Sequence, residues 1–290
     1  MMALSFARLV SRFEQLDRRI VFLLLGAAVL LPFALHLEMR AEPSERTEQF
    51  VSVLDKAIDT GKPLLVSVDF GPQTMAEMEP VLFAVMEQAF ARKSKVVFLT
   101  FLPEAAAQMR GYLTTMIRDR GLSYGQDVVF LGYASAYVVA VSSLGTSLRS
   151  YFHSDDRGTP LDDIPLMKNL QSIMDFGAVI NVASNTLPRT WITYGVGPYG
   201  FDLLVGCTAV QATDYYAFLQ SGQIKGLVSG GKAAAEYETL LLDRGILASA
   251  GNATRALGSQ SLALLTILGL ILLGNAAHYL KRRTQARTGR

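Results

Sequence analysis

The sequence predicts an α/β chain: a parallel sheet of about six strands with helices on both faces, flanked by N- and C-terminal transmembrane helices. Three observations carry this. Six apolar runs of strand length recur between residues 63 and 229, separated by stretches of helical character. Most of those runs are continuous rather than alternating, as expected of strands covered on both faces. Two longer apolar segments stand near the ends, at 20–37 and 262–280. Strand and helix alternating at this spacing point to a Rossmann-like domain.

The first apolar segment, IVFLLLGAAVLLPFALHL, has no acid or base before His36. The second, LALLTILGLILLGNAAHYL, is broken only by Asn275 and His278 near its far end. Each has about the length a helix needs to cross a hydrocarbon core of about 30 Å. Pro32 would kink a soluble helix but is tolerated in a membrane helix. Arg8, Arg12, Arg18 and Arg19 precede the first segment; Lys281, Arg282, Arg283, Arg287 and Arg290 follow the second. Basic residues beside a span stay in the cytoplasm, so both termini are expected inside, with the region between on the extracytoplasmic side. LHLEMRAE holds no small-x-small cleavage site, which favours an uncleaved anchor over a signal peptide. Phe6, Leu9, Val10, Phe13 and Leu16 form one helical stripe in 1–19, suiting either an interfacial helix or a cytoplasmic extension of the span.

The expected organisation is therefore an amphipathic helix at 1–19, a span at 20–37 and a linker helix at 38–62. An α/β domain at 63–250, a linker at 251–261, a span at 262–280 and a basic tail at 281–290 follow. In the linker helix Phe50, Val53, Leu54, Ala57 and Ile58 fall at helical spacing, and Gly61 with Pro63 marks the stop. The strands are expected at 63–70, 95–102, 127–133, 177–183, 201–207 and 224–229, and the helices between them at 74–92, 104–120, 214–220 and 232–244. The stretch 134–170 is expected to be helical in its first part. Its second part, HSDDRGTPLDDIPLMKN, lacks an apolar period and reads as an exposed loop and a candidate contact surface. Asp155, Asp156, Asp162 and Asp163 within it do not match the spacing of a calcium loop.

Composition narrows the function classes. Apolar residues make up 50% and charged residues 18%, which the two apolar segments explain in large part. The net charge of +2 comes from the ends, leaving a mildly acidic centre with no basic stripe, so nucleic acid is not an expected partner. One cysteine, Cys207, excludes an intrachain disulfide and a thiol metal cluster. No metal site and no cofactor is expected. Membrane lipid and other membrane or envelope proteins are the expected partners, self-association among them.

In doubly wound sheets ligands sit beyond the carboxyl ends of the strands. Asp69 and Gly71 end the first strand, and Ser229, Gly230, Gly231 and Lys232 end the sixth. Successive glycines before a helix can present N–H groups to an anion. The SGGK turn is too short for a P-loop, however, and Ala233 stands where the magnesium-holding hydroxyl would be. A strand–helix corner is the plainer reading. Cys207 lacks an evident base, since His153 is the domain's one histidine, and reads as a small buried hydrophobe. Asp69 and Glu104 share a sheet edge but bring no further catalytic signature, and Trp191 with Tyr194 is read as core by default.

The functional expectation is a non-enzymatic scaffold or partner-recruiting subunit of an envelope assembly. The alternative is a small-molecule or anion-binding and sensing domain using Asp69, Gly71, Ser229, Gly230, Gly231 and Lys232. A hydrolase comes third.

Overall fold

The computed structural model describes residues 17–35 and 39–288. These divide into two compact units, one formed by 40–254 and the other by the helical residues towards the two ends.

The larger unit is a single six-stranded, all-parallel sheet of order β3-β2-β1-β4-β5-β6. Its strands are β1 (Leu64–Asp69), β2 (Val96–Thr100), β3 (Val128–Tyr133), β4 (Val179–Ala183), β5 (Leu203–Cys207) and β6 (Gly226–Ser229). This is the doubly wound order, with its topological switch between β1 and β4. Side chains of both parities are buried: Leu65, Val97, Val129 and Val179 on one set, Val66, Phe98, Ile180 and Leu204 on the other. Double coverage is why the strands read as unbroken apolar runs.

Helices follow the strands as the sequence implies. With α1 assigned to Arg18–Ala34 in the smaller unit, the domain begins with α2 (Glu45–Asp59). Then come α3 (Met75–Ala91), α4 (Pro103–Arg120) and α5 (Tyr137–Thr146). A helical run after β4 comprises α6 (Leu187–Thr190), a π-helix (Trp191–Val196) and α7 (Gly197–Tyr199). The domain's remaining helices are α8 (Ala212–Gln220) and α9 (Gly230–Asp243). Helix α2 buries Phe50, Val51, Leu54, Ala57 and Ile58 and packs along the edge strand β6, while α3 packs on α9 and the centre of the sheet. The linker helix is thus part of the domain.

The segment after α5 corrects an expectation. HSDDRGTPLDDIPLMKN is not an exposed loop: Leu161, Ile164, Leu166 and Met167 are buried in the main core cluster. It is wound as short 3-10 turns at Leu148–Ser150, Leu161–Asp163, Pro165–Met167 and Ile173–Asp175. Arg149 pins it, donating to Asp162 at 2.7 Å and to the carbonyls of Leu170 and Met167 at 2.6 and 3.0 Å. Asp155 is buried, accepting from the Tyr124 hydroxyl at 2.8 Å and the N–H groups of Arg157 and Thr159 at 3.0 and 2.8 Å.

In the smaller unit, α10 (Asn252–Thr288) continues from the domain. Among the described residues it is the one helix long and apolar enough to cross a membrane, over the 28 residues Asn252–Tyr279. Leu264, Leu265, Leu268, Ile271 and Leu272 project outward, as lipid-facing residues would. The N-terminal span is not shown in the same way. Helix α1 has 17 residues, rising about 26 Å against a core of about 30 Å. The expected end of that span at 36–37, and the amphipathic stripe from Phe6 to Leu16, lie outside the described residues.

Candidate functional site

The carboxyl edge at the switch point is closed by the chain's own side chains. Ser67 and Asp69 project to the same face of β1, because strand side chains alternate, and Asn181 of β4 stands in register with Ser67. All three are fully buried. Asp69 Oδ2 accepts from the Ser67 hydroxyl and from Asn181 Nδ2 at 2.7 Å. Its Oδ1 accepts from the Phe101 N–H at 2.7 Å and from Thr100 Oγ1 at 3.4 Å. Burial pushes the Asp69 carboxyl up to about 6, against the pull of these four donors.

The loops above are stitched together as well. Asn185 Nδ2 donates to the Asp69 carbonyl at 3.0 Å, and Asn185 Oδ1 accepts from the Leu187 N–H at 2.9 Å. The Asn185 carbonyl in turn accepts from Gln211 Nε2 at 3.0 Å and the Tyr215 hydroxyl at 3.4 Å. Loops after β1, β4 and β5 thus meet where a doubly wound domain would hold a ligand. Glu77 of α3 closes the next gap by accepting the Ala209 N–H at 2.7 Å.

The sequence-predicted site residues fall into two groups. Asp69 and Gly71 lie at the end of β1, while Ser229, Gly230, Gly231 and Lys232 lie beyond β6. Three strand steps, about 14 Å, separate the two groups. Glu104 comes beside Gly71, where a Cβ would stand 3.4 Å from its Oε1, while Asp69 is occupied by other donors. Gly230 has φ +75°, and a Cβ there would meet Ala209 Cβ at 2.7 Å and Glu77 Oε1 at 2.9 Å. The glycine is required by a tight strand–helix corner.

Ser229 and Lys232 line a cavity of about 190 Å³ together with Ser44, Arg46, Thr47, Tyr216 and Glu236. The guanidinium of Arg46 lies 4.7 Å from the centre of the Tyr216 ring. Glu236 is buried beneath it, accepting from Ser44 Oγ at 2.6 Å, Thr47 Oγ1 at 2.7 Å and the Ser44 N–H at 3.2 Å. Lys232 Nζ stands 3.5 Å from its other oxygen. Burial alone would raise this carboxyl, but the hydroxyls, the N–H and Lys232 outweigh it and hold the group below its ordinary value. Arg46, Tyr216 and Glu236 come from α2, α8 and α9, so no local motif announces them. The one available signal is that α2 ends up beside the edge strand.

Cys207 is fully buried, and burial pushes its thiol up to about 12, with Glu77 and Asp214 adding to the effect. That is an inert thiol. Trp191 is fully buried between Phe101 and Phe201, whereas Tyr194 is exposed. Among the described residues no three His, Cys, Asp or Glu side chains are grouped to hold a metal ion. Comparison with protein-family models, curated proteins and solved structures finds no match to this chain.

Proposed function

We propose that the protein is a membrane-anchored, non-catalytic α/β domain that recruits a partner protein into an envelope assembly. The observation that carries the reading is the filled switch-point crevice. Asp69 has a donor at every accessible position and no solvent exposure, so it is unable to meet a substrate without dismantling the sheet edge. In this reading 20–37 and 262–280 both cross the bilayer, the basic ends stay cytoplasmic and the domain lies on the extracytoplasmic side.

Two measurements test it. A reporter inserted at the exposed turn of Arg157 and Gly158 should be active only outside the cytoplasm. The full-length chain, solubilised gently, should bring down a stoichiometric membrane or envelope partner. A cytoplasmic reporter, or turnover by the chain of a substrate abolished by Asp69→Asn, would overturn the proposal.

A second reading is favoured by one feature, the two cations at the mouth of the cavity beside β6. Arg46 and Lys232 face it with a single carboxylate between them, which suits a small anion. A phosphate- or carboxylate-bearing ligand should raise the melting temperature, and Lys232→Ala should reduce that rise. An unchanged melting temperature across such anions would remove this reading.

A further inference from the structure

We propose that the open groove at the carboxyl end of β3 binds a neutral, hydroxyl-rich ligand, a glycan chain. The groove has a volume of about 580 Å³, within the range of small-molecule sites. It lies at the end of the sheet where doubly wound domains carry ligands, but at the outer strand, away from the closed switch point.

The class of ligand follows from what the walls offer. Arg110 grips Asp156 in a two-pronged pair, Nε to Oδ2 at 2.7 Å and Nη2 to Oδ1 at 2.8 Å. The other carboxylate, Asp155, is spent on the Tyr124 hydroxyl and two backbone N–H groups, with Arg157 stacked over the Tyr124 ring at 3.4 Å. Of the groove's two acids, Asp156 is thus paired with Arg110, and Asp155 is satisfied by neutral donors. A charged ligand would have to compete with a pair that already satisfies itself.

An apolar ligand fits no better, because the groove holds free polar groups. Tyr133 is 45% exposed, and its hydroxyl, the His153 ring and the Ser154 hydroxyl make no side-chain hydrogen bond within the described residues. Covering these with hydrocarbon would strand them. A sugar meets both demands. Its hydroxyls donate and accept without charge, and its C–H face packs on an aromatic ring such as Tyr133. Arg110 is 60% exposed and keeps further N–H groups for such hydroxyls, oriented by Asp156.

The test uses the full chain in nanodiscs, because sugar-headed detergents would compete. Maltotriose, cellotriose and triacetylchitotriose are titrated by calorimetry, with trigalacturonate and inorganic phosphate as charged counterparts. At least one neutral trisaccharide should bind saturably, and Tyr133→Ala and Arg110→Ala should each weaken it roughly tenfold, the scale of one lost contact. Tyr133 is a strand-end surface residue, so its variant keeps the fold, which the unfolding curve checks. Failure of all three neutral sugars, tighter binding of a charged counterpart, or undiminished binding by the folded Tyr133→Ala chain would each overturn the proposal. None of these outcomes depends on whether the domain recruits a protein.

Discussion

Asn181 donates its amide to Asp69 at 2.7 Å across the two central strands, joining β4 to β1 at the point where a ligand site would open. The contact exists because Ser67 and Asn181 are in register, which sets the amide beside the carboxylate two residues further along β1. A polar ladder buried in an apolar sheet costs desolvation, and it is tolerated because donors meet both carboxylate oxygens.

That ladder predicts a pH dependence with a definite sign. Burial, opposed by Ser67, Phe101, Asn181 and Thr100, leaves the Asp69 carboxyl at about 6 in the folded chain against 3.8 unperturbed. The folded state therefore holds this proton more tightly than the unfolded state. Its contribution is fully present below about pH 4 and is lost as the pH rises through about 6, at most about 3 kcal/mol in all. Urea unfolding of the full chain between pH 4.5 and 7 should show this loss, and Asp69→Asn should flatten it. Parallel curves for the two proteins would assign the titration to another group.

Gly145 lies under the ring of Tyr199, where a Cβ would come within 1.9 Å of a ring carbon. Tyr199 also donates to the Ser142 carbonyl at 3.0 Å, so the ring clamps the π-helical run onto α5. Gly145→Ala should displace it and cost about 1–3 kcal/mol. In a double-mutant cycle the penalty should largely vanish on a Tyr199→Ala background, read by thermal unfolding. Additive losses would show that the clamp is not what the glycine serves.

Arg149→Ala should loosen 147–176 selectively. It removes three charge-assisted hydrogen bonds, two of them to backbone carbonyls, and should cost about 2–4 kcal/mol. The measurable sign is faster limited proteolysis between Ser154 and Leu170, with amide exchange in β1 and β4 unchanged.

This arginine also shows why that segment was illegible in the sequence. The six strands could be read because each is buried on both faces, and an unbroken run such as VVFL has few other meanings. The 153–169 stretch also places apolar side chains in the core, but through 3-10 turns with no period to detect, fastened by one side chain from outside the motif. The site suffered in the same way. Asp69 and Lys232 were visible as strand-end residues, yet the register that saturates Asp69 and the approach of Arg46 to Tyr216 arise only on folding. The closing of the crevice rests on Asn185, Gln211 and Tyr215, single residues from three loops and helices. The C-terminal apolar helix was plain from composition because a membrane-length run needs no partner to be recognised.

Glu238 governs how the last helix begins. Its buried carboxylate accepts the N–H of Ala253 at 3.1 Å, the N–H of Thr254 at 2.8 Å and the Thr254 hydroxyl at 2.6 Å. It thereby caps the first turn of α10 from outside that helix, in place of a local Ser or Asp. Gly251 makes room for it: a Cβ there would stand 2.2 Å from Glu238 Oε1. Glu238→Ala should therefore free the first-turn amides, raising exchange at Ala253 and Thr254 and costing about 1–2 kcal/mol. Glu238→Gln keeps one acceptor oxygen and should lose about half as much. Gly251→Ala should reproduce the exchange pattern of Glu238→Ala with the carboxylate still present in the chain, since the added methyl evicts it from the turn. Protected amides at 253 and 254 in the glycine variant would mean that the turn is capped by something other than Glu238.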